Sequence, residues 1–339
     1  MRTCVLLLSV VCLLVASFVG GQEAETESAK VVAKVKKAAQ NLIATLDKKQ
    51  KDKLLFAFED EQQKRRWSNL PTGIVERKGL RMGDLTKKQK QAVLQLIRAT
   101  LSKHGYQQVI DNMEGDDLLK PPPRLKFGKD EYYVSILGEP SGTKPWMWQF
   151  GGHHLAINAT IVGDKITLSP TLTGGQPVDF KIGDRSVRQL GKEEDLAFEL
   201  INSFSADRKK QAVLGNKYVK MRYGPGKEGA KPQKEGIKAS TLNKKQQKLL
   251  LALINERISI LNEVHAKPQM KTISEQLDST WFSWYGPTQK GSAATFRIQG
   301  PSILMEYSPQ RLGGDPTQHT HAMYRDPTND YGVGFLKAE

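Results

Sequence analysis

The sequence predicts an α+β fold in which one unit, helices followed by antiparallel strands, occurs twice, with the two halves packed about a pseudo-twofold axis. Internal self-similarity carries that prediction. Residues 79–102 align without a gap to residues 236–259. Ser135-Ile136-Leu137-Gly138-Glu139-Pro140 is then matched by Ser283-Trp284-Tyr285-Gly286-Pro287, with one residue deleted. Farther on, Ser169-Pro170, Gly174-Gly175 and Pro177 recur at the same spacing as Ser308-Pro309, Gly313-Gly314 and Pro316. The order of the matches places the break near residues 185–192. The chain therefore divides into a first repeat, 22–188, and a second, 189–339, forming one body.

Ahead of the first repeat, residues 1–21 read as a secretory signal peptide. Met1 and Arg2 open it, residues 4–19 form an apolar run, and Val19 and Gly21 offer the small residues of a cleavage site. The run is shorter than the roughly 20 residues a bilayer span needs, and no later segment is longer and apolar. The protein is accordingly expected to be secreted or periplasmic, with no membrane span. Both cysteines, Cys4 and Cys12, fall inside this segment, so disulfides, thiol catalysis and thiolate metal sites are excluded from the mature chain. A metal would have to be held by histidine, carboxylate or amide groups.

Each repeat should begin with capped helices. Asp47 with Gln50, Thr86 with Gln89 and Asn243 with Gln246 have capping-box spacing, in which side chain and backbone satisfy each other's free N–H groups. After Thr86, the residues Val93, Leu94, Ile97 and Leu101 recur at helical spacing; after Asn243, Leu249, Leu250, Leu253, Ile254 and Ile258 do the same. Strands are expected over 132–137, 146–150, 153–162 and 165–168 in the first repeat, and over 280–285, 294–299 and 302–307 in the second. The first repeat thus has about one strand more, assigned to the segment carrying His153-His154. Residues 114–129 and 224–236, rich in Gly, Pro and charge, are expected to be loops. Gly224-x-Gly226-x-x-Gly229 lacks the preceding strand of a dinucleotide fingerprint.

With 38% hydrophobic and 26% charged residues in 339, the composition is that of a folded domain rather than a fibrous or disordered chain. The net charge of +15 suits polyanionic surroundings, although Lys87-Lys88 and Lys244-Lys245 at the helix starts read as solvated faces. No specific nucleic-acid partner is expected; an unknown small molecule or a cell-envelope polymer is.

The chemistry should lie with the histidines. Only six occur, and four fall in two short segments, His153-His154 and His319-x-His321. On a strand, His319 and His321 share a face, as a zinc site on a sheet requires, whereas His153 and His154 point oppositely and only one can join them. His154, alternating with Ala156 and Asn158, is the expected third ligand; His153, with Leu155 and Ile157, is expected on the buried side. In the second repeat Pro301 and Ser302 replace the His pair, so the clusters would meet between the halves. Two or three neutral imidazoles leave an open position on zinc or another divalent metal, and water there reaches a pKa of about 7. Glu306 and Asp326 are the expected bases, with Asp315 and Asp330 as further carboxylates, and Arg325 would hold an anion. The leading reading is a His-ligated metal-dependent hydrolase. The alternative is a metal-free cell-envelope or glycan binding protein with a cleft lined by Trp146, Trp148, Trp281 and Trp284, to which Asn158 would add a polar contact.

Several of these motifs together carry a family resemblance. Trp148-Gln149-Phe150-Gly151-Gly152-His153-His154-Leu155, the Gly-Gly-x-Pro turns and His319-x-His321-x-x-x-Arg325-Asp326-Pro327-Thr328-Asn329-Asp330-Tyr331-Gly332 resemble exported proteins of domain-of-unknown-function family 3500. The resemblance implies no activity, fold or cofactor. The family pattern continues after Tyr331-Gly332 with an Asp and a late His; this chain has neither.

Overall fold

The computed structural model describes residues 26–120, 124–312 and 314–337; the expected signal peptide at 1–21 lies outside them. The first half holds helices α1 (Glu27–Ala44), α2 (Lys48–Leu54), α3 (Glu61–Lys64), α4 (Lys87–Thr100) and α5 (Lys103–Asp117). Its strands are β1 (Leu55–Phe56), β2 (Leu80–Arg81), β3 (Tyr133–Leu137), β4 (Trp146–Gly152), β5 (Leu155–Val162), β6 (Lys165–Thr167) and β7 (Thr171–Gly175), followed by a separate hairpin, β8 (Asp179–Ile182) and β9 (Arg185–Arg188). The second half holds α6 (Gly191–Asn202), α7 (Ala206–Ala212), β10 (Val213–Gly215), β11 (Ile237–Lys238), α8 (Lys244–Ile258), α9 (Glu263–Glu275), β12 (Trp281–Tyr285), β13 (Thr295–Gly300), β14 (Ile303–Pro309) and β15 (Thr320–Arg325). A short α10 (Val333–Leu336) follows.

Thirteen strands form one mixed sheet, whose main path is β1-β3-β4-β5-β7-β15-β14-β13-β12-β10. From either end the order is the same: a short outer strand, a three-stranded meander, then β7 or β15 at the centre. The outer pairs, β1 with β3 and β10 with β12, are parallel rather than antiparallel as expected. Each is joined by a long connection containing helices, the only kind that returns a chain parallel to itself. Within the large sheet the extra strand of the first half is β6, which pairs with β5, and not the His153-His154 segment as expected, which is a turn; the β8–β9 hairpin stands outside that sheet.

The three capping boxes are all formed, at Asp47, Thr86 and Asn243. Gln89 and Gln246 do more than cap: their side-chain amides also donate to the carbonyls of Thr45 and Ser203. Replacing Thr86 or Asn243 with alanine should cost on the order of 1 kcal/mol each, read as a lower denaturant midpoint. An unchanged midpoint in both would show that the caps contribute nothing. The ends of α4 and α8 meet by reciprocal backbone bonds, from Ser102 N–H to Ile260 and from Asn262 N–H to Thr100. A Cβ on Gly105 would come within 2.2 Å of the Ile260 carbonyl oxygen, so only glycine permits this crossing.

One face of the sheet is apolar and faces the helices: Trp146, Trp148, Phe150, Ile157, Phe296, Ile298 and Met305 pack with Val35, Leu42, Val93, Ile97, Leu250 and Leu253. Each such side chain contributes roughly 1.5–3 kcal/mol on burial. The period-2 alternation puts Gln149, Asn158, Arg297, Gln299, Glu306, His321 and Arg325 on the other face, all buried. Loops carrying Trp67 and Tyr223 cover it. Residues 224–236 are therefore a cover fastened to the sheet rather than a free linker: Arg325 donates to the carbonyls of Tyr223 and Gly224, and Gln233 N–H donates to Gln299. The segment 114–129 likewise begins as helix, since α5 runs to Asp117. Among the described residues no helix is long and apolar enough to cross a membrane.

Candidate metal centre

The centre forms where β7 meets β15. His321 lies on β15, registered with Gly174 on one side and Ser308 on the other. His319 stands just before that strand, at the end of the 3-10 turn Pro316–Gln318. His154 arrives from the first half, but not on a strand: His153-His154 is the two-residue turn between β4 and β5, and His154 has a φ of 59°. A non-glycine residue in that region is uncommon and costs on the order of 1–3 kcal/mol, so the surrounding contacts must hold it. They do. The Asn112 side chain on α5 donates to the carbonyls of His154 and Gly174. At Gly174 a Cβ would press on His321 and His154, so glycine there makes room for both rings.

These placements bring His154, His319 and His321 together. The Nε2 atoms of His154 and His319 are 3.0 Å apart, and the three residues' ligand atoms lie within 4.8 Å of one another. His319 donates Nδ1–H to the Leu312 carbonyl at 2.6 Å, leaving its Nε2 bare. His321 Nε2 lies 3.2 Å from the Asn69 amide nitrogen, and its buried Nδ1 makes no hydrogen bond of ordinary geometry. All three side chains are buried. Burial, and then the neighbouring imidazoles, hold His154 and His321 well below the ordinary histidine pKa; burial also lowers His319, against the pull of the Leu312 carbonyl. These shifts favour the neutral ring, the form in which imidazole binds metal.

His153 does not face away, as strand alternation implied, because a turn suspends that alternation. Its ring lies 3.6 Å from that of His154, centroid to centroid, and its Nδ1 is 2.7 Å from Asp116 on α5. Asp116, His153 and His154 make a second buried group whose ligand atoms lie within 4.8 Å of one another. Burial raises the Asp116 pKa, while His153 opposes the rise. Neither Asp116 nor Asn112 was picked out in the sequence. Their signal is there, since Asn112 and Asp116 lie four apart beside Val109 and Met113, as polar interruptions of an apolar helix face.

The other expected site residues are placed elsewhere. Glu306 is fully buried and spent: Arg297 Nε donates to it at 2.6 Å, and the N–H groups of Arg222 and Tyr223 at 2.6 and 2.9 Å. Arg325 sits four residues beyond His321 on β15, roughly 13 Å along the strand, and is held by Asp330 and the Tyr223 and Gly224 carbonyls. Asp326 caps Thr328 and lines a separate cavity of about 460 Å³ with His265 and Phe335, away from the histidines. Asp315 likewise bonds Thr317 locally. Asn158 is buried between Gln149 and the Pro170 carbonyl. Trp146, Trp148 and Trp284 are core residues on the helix-facing side, so they line no cleft; Trp281 alone is part-exposed, near Lys234 and Lys238.

The neutral histidines make stability depend on pH with a definite sign. Folded His154 and His321 have depressed pKa values, so below about 6.5 the unfolded chain binds more protons and stability falls as pH falls. Buried carboxylates with raised pKa values, such as Asp116 and Glu306, act oppositely, so the readout is a difference. Below that pH, wild type should lose up to about 1.4 kcal/mol per pH unit more than His321→Gln. Parallel stability curves would mean that His321 accepts a proton freely in the folded protein.

A family model described as "Protein of unknown function (DUF3500)" matches residues 28–333. No curated protein and no solved structure matches the chain.

Proposed function

The chain belongs to the DUF3500 family, whose description assigns no function, and from its site we propose a metal-dependent hydrolase centred on His154, His319 and His321. The observation that carries this reading is the convergence of three buried imidazoles, two of whose Nε2 atoms approach within 3.0 Å. Without a cation a single N–H···N bond joins His154 to His319, but the buried Nδ1 of His321 is left without a partner of ordinary geometry. A divalent ion such as zinc would satisfy all three rings with a modest adjustment, since it sits roughly 2.0–2.1 Å from each nitrogen.

When bound, zinc supplies Lewis acidity and lowers the pKa of water to about 7. The chain's own residues do the rest. The Leu312 carbonyl fixes the His319 tautomer, as outer partners of metal-bound histidines commonly do. Asn69 would orient His321 with its amide turned so that the oxygen accepts from Nε2–H and Nδ1 is left for the metal, Asn112 fixes the backbone of the His154 turn, and the Asp116–His153 pair backs the His154 ring. With Glu306 and Asp326 engaged elsewhere, the carboxylate nearest the chemistry is Asp116.

Elemental analysis tests the reading. The purified protein should carry about one equivalent of metal, and at a free zinc concentration of ~1,000 times Kd should gain about 4 kcal/mol over the chelator-treated form. Protein that neither contains nor is stabilised by zinc, manganese, iron or nickel would leave the cluster as a hydrogen-bonded structural network.

We further read the segments 22–188 and 189–339 as copies of one unit related by a pseudo-twofold axis, with export directed by residues 1–21. The same strand order from both ends of the sheet and the matching capped helices support the duplication. The shared Ser-Pro and Gly-Gly-x-Pro spacing supports it less, because in the first half the glycines end β7 and in the second they precede β15.

A further inference from the structure

We propose that the substrate of this centre is anionic, and that Lys220, Lys227 and Arg311 receive its charged group in the cleft beside His319 and His321. The inference deepens the metal-centre reading and rests on it for the reaction, though not for the binding. A cleft of about 540 Å³ opens beside the histidines, lined by Asn69, Lys220, Lys227, Pro309, Arg311 and Leu312 among others. Its inner end is built from the residues that hold the centre. Asn69 contacts His321, the Leu312 carbonyl accepts from His319, and Gln310 N–H donates to the His319 carbonyl. Asn69 and Leu312 thus line the cleft on one side and contact the buried histidines on the other.

The charge of this cleft is one-sided. Among the described residues no acidic residue lines it, and Lys220, Lys227 and Arg311 form no ion pair. The arginines on this sheet face and in the loop over it are used differently: Arg297 and Arg325 on the strands and Arg222 in the loop close on Glu306, Asp330 and Glu235 respectively. Isolated exposed cations are worth little, about 0–1 kcal/mol per pair. Cations converging on one concave wall focus their potential and raise the local concentration of anions.

The wall that carries two of them is fixed. Val219 exchanges bonds with the Thr295 hydroxyl, the Lys220 carbonyl accepts from Arg297, the Arg222 and Tyr223 amides donate to Glu306, and the Tyr223 and Gly224 carbonyls accept from Arg325. Glu306 and Arg325 thereby act as positioning residues for the cleft wall. A ligand with phosphate or carboxylate groups fits this chemistry, whether as a free small molecule or as a unit of an acidic polymer.

Titration calorimetry on the full mature chain, zinc-loaded and chelator-treated, tests the proposal with inorganic phosphate and polygalacturonate as probes. The triple variant Lys220→Gln, Lys227→Gln, Arg311→Gln should bind the preferred probe at least about tenfold more weakly, with unchanged metal content, and salt near 1 M, where the Debye length is ~3 Å, should weaken the wild type likewise. A preference for phosphate would identify a small anion and a preference for the polymer a chain substrate; either supports the proposal. Substituting Lys87, Lys88, Lys244 and Lys245 by Gln should change nothing. An unaffected triple variant, an equal loss in that control, or binding of neither probe at low salt overturns the proposal. Chelator-treated wild type should bind the probe too, because the cations receive it; protein that binds the anion but takes up no zinc when loaded would overturn the metal reading and leave the cleft.

Discussion

Replacing His321 by alanine is expected to abolish metal uptake at the proposed centre and leave the sheet standing. His321 sits at the central seam, between Gly174 and Ser308, with its backbone in the ladder and only its ring at the centre. Losing one of three nitrogen ligands should weaken metal affinity by at least about 100-fold, the upper end of what removing a mere outer-shell partner costs. Dialysed protein should then hold little metal while its circular dichroism stays that of wild type. His153→Ala is the contrasting variant. It leaves buried Asp116 without its histidine partner and removes the ring packed against His154, so stability should fall while metal affinity drops by only about 10- to 100-fold. A His321→Ala protein that retains metal as tightly as wild type would remove this residue from the ligand set.

The helices and the meander strands were legible because each rests on local chemistry: a cap three residues from its Gln, an apolar stripe at 3.6 spacing, an alternation of period 2. Those signals fixed α4 and α8 to within a residue and placed β3, β4, β12 and β13 closely. The pairing of β7 with β15, which builds the centre, is a contact between segments far apart in the chain, and no local signal carries it. The convergence of His154 with His319 and His321 could be expected only by treating the two halves as symmetric partners. Local patterns mislead where a turn or a covering loop overrides them. Alternation was extended through His153-His154 into a turn, which misplaced His153. Glu306 and Arg325 looked like free catalytic groups because charge on a strand reads as exposure, yet here a loop covers that face and the charges neutralise one another. Trp148 and Trp284 were offered to a ligand cleft, but they occupy the side of the strand that the helices cover.

The buried charges on that loop-covered face set the second large effect. Arg297→Met should destabilise the protein by about 3–5 kcal/mol, because it strands Glu306, a carboxylate with no exposed surface, in the interior. Burial already raises the Glu306 pKa against the pull of Arg297, so in the variant the carboxyl should bind a proton and the penalty should shrink as pH falls. Removing both partners tests whether the pair stabilises or merely positions. Arg297→Met with Glu306→Met should recover much of the loss, since a fully apolar replacement of a buried pair is often near neutral. It should still free the Arg222 and Tyr223 amides and the Lys220 carbonyl, and so loosen the cleft wall that those bonds hold. The double variant is therefore expected to match wild type more nearly in urea midpoint than in anion affinity. Equal recovery of both would mean that the wall keeps its shape without the pair, and a double variant as unstable as Arg297→Met alone would mean that the backbone bonds to Glu306, not the ion pair, carry the stability.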